Sequence, residues 1–232
     1  MAKLFLLRHF KSQWNEENRF TGWVDVPLLP GWEDRAKKTS KKVFKENISA
    51  IYTSPLIRNE ATVLGVFDYY DKKYPIFIHL DKGKMKKQGH FKEINRKYLP
   101  VYVSEALNER YYGRLQGLEK KKMMQKYGEE KIHLWRRSFR RRPPGGESLA
   151  KTLKRMAPIY KRYIKRDLRE NRNVLIVASH NPLRALMKHI EKIPNQKISE
   201  VEMEFGGLVR YQFDKKLKLK KKEVIKLKLA KK

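Results

Sequence analysis

Short apolar runs recur along the chain, and stretches with the apolar spacing of helices lie between them. The runs at residues 3–7, 50–53, 76–80 and 174–178 have the length and composition of buried strands. Residues 209–213 alternate between apolar and polar side chains, as strands with one buried face do. Because strands alternate with helices, the pattern favours an α/β fold built on a layered, largely parallel sheet.

The helical stretches cover residues 56–70, 147–171 and 183–193. No internal repeat and no Gly/Ser linker interrupts the 232 residues, so we predict a single domain. Residues 81–100 are polar and basic, and we expect an insertion on the domain there. The Lys/Leu alternation at about 215–232 predicts either an edge strand guarded by lysines or a frayed end.

The chain carries a strong excess of positive charge. Lysine and arginine number 56 against 25 aspartates and glutamates, which gives a formal net charge of +31. A field of this sign attracts nucleic acid, anionic lipid or small phosphorylated metabolites. No aromatic–basic RNA-recognition motif and no helix-turn-helix pattern is present, so we expect no specific nucleic-acid partner. A catalytically inactive nucleic-acid-binding protein is an alternative suggested by the charge and the lysine-rich segments.

The composition excludes several other classes of protein. The sequence contains no cysteine, which excludes a disulfide scaffold, a thiolate zinc site and a cysteine nucleophile. No apolar run approaches the roughly 20 residues that a membrane-spanning helix needs. The apolar stretch at the N-terminus is interrupted at Arg8, too early for a signal peptide. We therefore expect a cytoplasmic protein without a membrane partner.

Two of the predicted strands end in a histidine, His9 and His180. Ligands of open α/β sheets bind beyond the carboxyl ends of the strands, so the two imidazoles are expected to face one crevice. Arg8 and Arg58 would add two guanidiniums, which hold phosphate oxygens in pairs. Because imidazole can attack phosphorus and be regenerated, this set suggests phosphoryl transfer through a phosphohistidine.

The same residues allow plainer interpretations. A histidine at a strand end is often a hydrogen-bonded structural residue, and either arginine could be an ordinary surface cation. A metal site is a further alternative, since histidine is a common metal ligand. It is disfavoured because no helical Glu or Asp ligand pattern accompanies the two histidines, and we predict no metal.

More distinctive motifs run in order through nearly the whole chain. They are LLRHFKSQWNEENRFTGWVDVPL (6–28), YTSPLIR (52–58), LNERYYGRLQGLEK (107–120), WRRSF (135–139), PPGGESL (143–149) and LRALMK (183–188). Together they resemble the cofactor-dependent phosphoglycerate mutases of the histidine phosphatase superfamily. The strings WNEENRFTGW, LNERYYG and WRR carry most of this resemblance, because a bare Arg-His pair is weak evidence.

The resemblance implies a three-layer α/β sandwich, with a mostly parallel central sheet flanked by helices. It also implies a mutase of glycolysis and gluconeogenesis that interconverts 2-phosphoglycerate and 3-phosphoglycerate and is primed by 2,3-bisphosphoglycerate. His9 would carry the phosphoryl group. The oxygens of that group would be held by Arg8, Arg58 and His180. Glu109 would act as general acid and base on the substrate hydroxyl.

The resemblance also assigns a set of ligand contacts: Ser12 and Asn15 at the phosphoryl group, Thr21 and Gly22 in a loop, Arg110, Tyr112, Lys120, Arg136 and Arg137 at the carboxylate and far phosphate, and Asn181. Alternatives stay open for some of these residues. Tyr112 could belong to the core. Lys120 begins a lysine run, and solvated surface is the alternative for it and for the arginine cluster. Related mutases are often oligomers, so a homodimer or homotetramer is implied.

The chain departs from the family pattern at both histidines. Phe10 and Lys11 replace the usual Gly and Glu, and Phe10 is expected to shift the backbone or crowd the pocket. After His180 the order Asn181-Pro182 is one residue shorter than usual. Proline has no N–H, so a backbone donor is expected to be missing at the phosphate site. These departures suggest, as alternatives, a phosphatase on the same scaffold or a catalytically weakened paralogue.

Overall fold

The structure is a computed structural model that describes residues 1–89 and 96–227. In these residues the chain forms seven strands: β1 (Ala2–Arg8), β2 (Ile48–Thr53), β3 (Tyr74–His79), β4 (Tyr98–Val103), β5 (Asn173–Ala178), β6 (Leu208–Phe213) and β7 (Leu219–Ile225). They form one sheet in the order β3-β4-β2-β5-β1-β6-β7. The first five strands in this order are parallel, β6 is antiparallel to β1, and β7 is antiparallel to β6.

Helices cover both faces of the sheet. They are α1 (Gln13–Glu16), α2 (Glu33–Phe44), α3 (Ile57–Phe67), α4 (Lys84–Gln88), α5 (Lys120–Tyr127), α6 (Glu129–Arg137), α7 (Leu149–Ile159), α8 (Lys165–Arg169) and α9 (His180–Glu191). Short 3₁₀ turns occur at Glu105–Leu107, Gly113–Leu115 and Lys197–Glu200, and a π-helical turn at Tyr160–Ile164 follows Pro158 of α7. Proline within a helix removes a backbone hydrogen bond, which accounts for the local change of winding.

The first strand shows why this sequence forms a buried sheet. Its side chains alternate between the two faces, with Leu4 and Leu6 in one hydrophobic core and Phe5 and Leu7 in the other. Residues of α7, α8 and α9 complete the first core, and residues of α2 and α3 complete the second. The three-layer α/β sandwich is therefore confirmed, with the sheet as its buried middle layer.

A smaller apolar cluster lies apart from the two main cores. It joins Phe20, Leu115, Ile132 and Trp135, and partly buried side chains of α5 pack against it. Ile132 and Trp135 belong to α6, so the cluster holds α5 and α6 against the loops that carry Phe20 and Leu115. The first residue of α5 is Lys120, and the last two residues of α6 are Arg136 and Arg137. These are the cations for which the resemblance implies ligand contacts.

The sequence does not predict β4. This strand begins at Tyr98 and lies between β3 and β2, so the end of the expected insertion at residues 81–100 belongs instead to the central sheet. The polar and basic composition of residues 81–100 concealed the start of this strand, and Pro100 is accommodated because it is in register only with β3, whereas pairing with β2 begins at Val101. The rest of the expected insertion contains α4, and residues 90–95 lie outside the described residues.

The C-terminal Lys/Leu alternation forms β7 at one edge of the sheet, so the edge-strand interpretation is confirmed as far as Ile225. Exposed lysines on an edge strand oppose pairing with a second sheet. Residues 228–232 lie outside the described residues. The helix expected at residues 183–193 is α9, which begins earlier, at His180, and ends at Glu191. No helix within residues 1–89 and 96–227 is both long enough and apolar enough to cross a bilayer.

Candidate active site

The two strand-end histidines lie near each other because β1 and β5 are neighbours in the sheet. Arg8, the last residue of β1, is in register with Ala178, the last residue of β5. The backbone N–H of His9 donates to the carbonyl of Ala178 over 3.2 Å, so the bonding continues one residue beyond the strand. His180 follows at the start of α9, and both histidines line a cavity of about 290 Å³.

The cavity is lined by most of the residues that the sequence singled out: Arg8, His9, Asn15, Thr21, Gly22, Arg58, Glu109, Tyr112, Lys120, Arg136, Arg137, His180 and Asn181. Ser12 and Arg110 do not line it and lie one contact away. The hydroxyl of Ser12 donates to Oδ1 of Asn15 over 2.8 Å. Nη2 of Arg110 donates to the hydroxyl of Tyr112 over 3.1 Å and to the carbonyl of Arg136 over 2.6 Å. Both residues therefore position side chains or backbone of the cavity wall.

One hydrogen bond fixes the buried ring of His9. Nδ1 lies 2.6 Å from the carbonyl oxygen of Phe10, and since a carbonyl only accepts, Nδ1 carries the proton. Nε2 is therefore the nitrogen with the free lone pair. Burial, together with the charges of Arg58 and Arg8, holds the pKa of His9 well below its usual value. The imidazole is accordingly neutral at neutral pH, the state in which it is a nucleophile.

The second imidazole of the cavity is that of His180. Burial lowers its pKa to about 4, although the carboxylate of Glu202 favours the protonated form. Oε2 of Glu202 lies 3.1 Å from Nε2, yet this nitrogen makes no directed hydrogen bond within the described part of the chain. A ligand that binds Nε2 would therefore meet the carboxylate of Glu202 beside this nitrogen. A bound anion would raise this pKa and so favour the charged, donating form.

Burial of this neutral imidazole makes the stability of the protein depend on pH. The unfolded chain protonates His180 near the ordinary value of 6.5, whereas the folded chain does so only at about 4. Protons favour the unfolded state between these values, so we expect His180 to lower the free energy of unfolding by about 2 kcal/mol at about pH 5. Thermal unfolding at about pH 7.5 and about pH 5, without phosphate, measures this loss.

The control for this prediction uses a second histidine. His180→Asn is expected to remove that part of the acid-induced loss of stability. His133→Asn changes an exposed histidine and is expected to leave the loss as it is in the wild type. Equal acid sensitivity of the three proteins would contradict the prediction.

Glu109 supplies a buried carboxylate to the cavity. Its Oε1 accepts from the backbone N–H of Arg110 over 2.6 Å and from that of Asn181 over 3.3 Å. Its carbonyl accepts from Nε1 of Trp23 over 2.5 Å and from Nη2 of Arg155 over 3.2 Å. A carboxylate fixed in this way can exchange a proton with a ligand in the cavity. In the described residues, no group of three or more His, Cys, Asp or Glu could hold a metal ion.

A loop wraps around the buried guanidinium of Arg58. Its two terminal nitrogens donate to the carbonyls of Gly22 over 2.7 Å and Val24 over 3.0 Å. Burial lowers the pKa of Arg58 to about 10, so the group stays charged at neutral pH. Gly22 has a φ of +56°, and a Cβ there would lie 2.0 Å from Oε1 of Gln116. Glycine is favoured at this point because other residues rarely adopt this conformation and a side chain would displace the end of Gln116.

A second group of cations enters the cavity from α5 and α6: Lys120, Arg136 and Arg137. Burial, followed by the charges of Arg136 and the other arginines, lowers the pKa of Lys120 to about 8. Lys120 lines the cavity, so the alternative that it is a solvated surface lysine is wrong. An anionic ligand would relieve the repulsion among these cations, so the group favours phosphate or carboxylate.

Arg184 on α9 is a buried positioning residue that belongs to the LRALMK motif, although no role was predicted for it from the sequence. It donates to the carbonyl of Arg137 over 3.0 Å, to Oδ1 of Asn181 over 3.1 Å and to the carbonyl of Ile198. It therefore fixes the end of α6 that carries the cavity arginines. Hydrophobic periodicity does not distinguish an arginine with this role from an ordinary polar residue of an amphipathic helix, so it could not reveal the role of Arg184.

Residues 201–207 form a further wall of the cavity that no motif predicts. The ring of Phe205 lies over the guanidinium of Arg8, with 3.7 Å from Cζ to the ring centroid. Arg8 also donates to the carbonyl of Met203 over 2.6 Å, and Glu202 lines the same cavity. The segment contains neither helix nor strand, so it has no periodicity to detect. The other lining residues that were not predicted are Asn18, Arg19 and Phe20.

The expectation that Phe10 crowds the pocket is wrong. Its ring stacks on Trp32 with 5.6 Å between centroids and lies in the core beside α2 and α3. Pro182 lies in the first turn of α9, where a backbone N–H has no acceptor within the helix. The residue before it, Asn181, has a backbone N–H, and this N–H donates to Oε1 of Glu109. Phe10 therefore gives no support to the phosphatase or the weakened paralogue.

The comparison with known families decides where the chain belongs. The model of the histidine phosphatase superfamily (branch 1) matches residues 4–78 and 90–222. The chain belongs to the histidine phosphatase superfamily. A 2,3-bisphosphoglycerate-dependent phosphoglycerate mutase of Chlamydia pneumoniae is 39% identical over 215 residues, which cover 92% of this chain and 94% of the relative. The protein of the same name from Methanococcus vannielii is 41% identical over 219 residues, which cover 93% and 92%.

Solved structures share the fold of this superfamily member. A mycobacterial glucosyl-3-phosphoglycerate phosphatase matches with a TM-score of 0.74 at 19% identity, over 97% of this chain and 98% of that chain. The alpha-ribazole phosphatase from Shigella flexneri matches with a TM-score of 0.68 at 19% identity, over 94% and 95%. At this level of identity, the likeness establishes the fold alone.

Proposed function

We propose that this superfamily member is a 2,3-bisphosphoglycerate-dependent phosphoglycerate mutase, which interconverts 3-phosphoglycerate and 2-phosphoglycerate in glycolysis and gluconeogenesis. One observation carries the proposal: a single cavity joins neutral His9, with its Nε2 free, to a cluster of cations and the fixed carboxylate of Glu109. The relatives named for this activity, at 39% and 41% identity over most of the chain, support the same reaction.

His9 is the proposed nucleophile. Once loaded, the phosphohistidine gives its phosphoryl group to the free hydroxyl of a bound phosphoglycerate, and the N–P bond breaks while the new P–O bond forms. Charge on the oxygens of the transferring group is stabilised by Arg8, Arg58 and His180, which line the same cavity. Nε2 of His9 then takes the phosphoryl group from the other oxygen of the ligand, where the N–P bond forms and the old P–O bond breaks, so that the isomerised phosphoglycerate leaves and His9 is loaded again.

Glu109 is the proposed proton carrier. It gives a proton to the glycerate oxygen that leaves phosphorus, and it takes the proton from the hydroxyl that attacks the phosphohistidine. Protons therefore balance over one cycle. The backbone N–H groups of Arg110 and Asn181 hold the carboxylate in place, so that it stays within reach of the substrate hydroxyls.

The cations of α5 and α6 are the proposed anchors for the carboxylate and the far phosphate of the glycerate: Lys120, Arg136 and Arg137. Further ligand contacts are proposed for Asn15, Thr21, Gly22, Tyr112 and Asn181. Ser12 and Arg110 do not line the cavity, and their proposed role is to position Asn15, Tyr112 and Arg136 through hydrogen bonds. Arginine forks suit carboxylate and phosphate because they offer two parallel donors to two oxygens.

The cavity residues fit 2,3-bisphosphoglycerate as the priming ligand. Nε of Arg8 is buried and has no hydrogen-bond partner within the part of the chain that is described, and Nε2 of His180, which lies 3.1 Å from a carboxylate oxygen of Glu202, makes no directed hydrogen bond there. Such nitrogens, together with two groups of cations, suit a ligand with several anionic oxygens. When bound, the bisphosphate supplies the phosphoryl group that loads His9. A formal net charge of +31 favours the capture of such anions.

An isomerisation assay tests the proposal. Purified protein given 3-phosphoglycerate and a trace of the bisphosphate is expected to form 2-phosphoglycerate, and to do so far more slowly without the bisphosphate. Inorganic phosphate is measured in the same samples. Release of phosphate faster than isomerisation would favour the phosphatase, and no 2-phosphoglycerate beside an active control mutase would reject the proposal.

Two expectations from the resemblance stay predictions. One is a homodimer or homotetramer, which light scattering on the purified protein measures. The other is a cytoplasmic location, which fractionation of the source cells measures.

A further inference from the structure

A carboxylate of the chain itself occupies part of the cationic cavity. Oε2 of Glu202 lies 3.1 Å from Nε2 of His180, and its other oxygen, Oε1, forms an ion pair with Nη1 of Arg137. The two oxygens thus contact one residue proposed to hold the transferring phosphoryl group and one proposed to hold the far end of the substrate. Glu202 therefore stands where anionic oxygens of a ligand are expected.

The carboxylate is held in a way that permits exchange. The side chain of Glu202 is 54% exposed, and it extends from the 201–207 segment, which has no regular secondary structure. Ion pairs of exposed side chains contribute little to stability, because water and salt screen them. Of the three side chains only that of Glu202 is exposed, so its carboxylate can return to water while His180 and Arg137 stay in place.

The charges that line the cavity show which carboxylates of the chain can balance its arginines. The lining holds five arginines, Arg8, Arg19, Arg58, Arg136 and Arg137, and the carboxylates of Glu109 and Glu202. Glu109 is fixed by backbone N–H groups and is proposed to carry protons. Glu202 is thus the lining carboxylate that the proposed reaction leaves without a role.

We propose that Glu202 is an affinity-setting residue, whose carboxylate occupies the anion position between His180 and Arg137 until a phosphorylated ligand displaces it. The inference rests on the proposed function, since it assigns these two residues to ligand binding. Every anionic ligand must replace these contacts or bind beside the charge of Glu202. The residue therefore weakens the binding of anions in general, and it limits occupation of the cavity by inorganic phosphate.

Charge removal at this position tests the inference. Glu202→Gln is expected to tighten the binding of inorganic phosphate about fivefold, which matches the interaction of two unit charges about 4 Å apart in water. Isothermal titration calorimetry with inorganic phosphate and with 3-phosphoglycerate, on the full chain at fixed ionic strength, measures the change. Both dissociation constants are expected to fall.

Glu204→Gln is the matched control. It removes the same charge two positions away in the same segment, where Oε1 of Glu204 lies 3.1 Å from Nη1 of Arg35 and outside the cavity lining. This variant is expected to bind phosphate as the wild type does. A thermal unfolding curve for each variant establishes that both are folded.

The outcomes separate this inference from the proposed function. Weaker or unchanged phosphate binding in Glu202→Gln would overturn the inference, and weaker binding would indicate that Glu202 orients His180 for its ligand. Equal tightening in both variants would also overturn it, because the effect would then come from net charge. Phosphate binding is measured without turnover, so a failure of the isomerisation assay leaves this comparison intact.

Discussion

His9→Ala is expected to abolish phosphoryl transfer. The variant lacks the only atom proposed to bond phosphorus, so acid-labile labelling of the protein by radiolabelled 2,3-bisphosphoglycerate should disappear. Isomerisation should fall by a factor on the order of 10⁶, the scale seen when the nucleophile of an enzyme is removed. Labelling is measured after acid and alkaline washes, because phosphohistidine survives alkali and not acid.

His133→Ala serves as the matched control for this substitution. His133 is exposed on α6 and lies outside the lining of the cavity that holds His9. We expect the control to be labelled and to turn over as the wild type does. Persistent labelling of His9→Ala would assign the phosphoryl group to another residue and remove the basis of the mechanism.

Glu109→Gln is expected to separate labelling from turnover. The amide keeps the size of the carboxylate but cannot carry a proton, so isomerisation should fall by about 10²- to 10⁴-fold. Turnover needs proton transfer at each phosphoryl step, whereas loading of His9 needs it once. Labelling should therefore be slower but reach the wild-type extent in a long incubation.

Glu105→Gln provides the comparison, because Glu105 is exposed and starts the 3₁₀ turn that precedes Glu109. This variant should retain both labelling and turnover. If Glu109→Gln loses labelling as completely as it loses turnover, the residue holds the ligand or the nucleophile and does not serve as the proton carrier.

The meeting of the two histidines could be predicted from the sequence because its cause is simple. Apolar runs end at His9 and at His180, and parallel neighbours bring their carboxyl ends to one edge of a sheet. The motifs added the residues on loops and on α5 and α6, such as Glu109 and Lys120, which spacing alone could not place in the same cavity.

Other parts of the site depend on packing that has no sequence pattern. The direction of the Phe10 ring follows from the space beside Trp32, so the expected crowding could not be checked before the fold was known. Glu202 and Phe205 reach the cavity from a segment without regular structure. The strand β4 was missed because residues 81–100 are polar and basic in composition, and its position between β3 and β2 depends on pairing with strands distant in the chain.

Three guanidiniums beneath or beside the cavity are completely buried: Arg58, Arg110 and Arg184. Arg58 and Arg110 donate only to carbonyl and hydroxyl oxygens, and Arg184 to carbonyl and amide oxygens. These neutral oxygens solvate a positive charge but do not cancel it. The lining carboxylates, Glu109 and Glu202, balance only part of the positive charge around the cavity, so a bound phosphorylated ligand would balance more of it. We expect the heat resistance of the protein to rise and fall with the concentration of its own substrates.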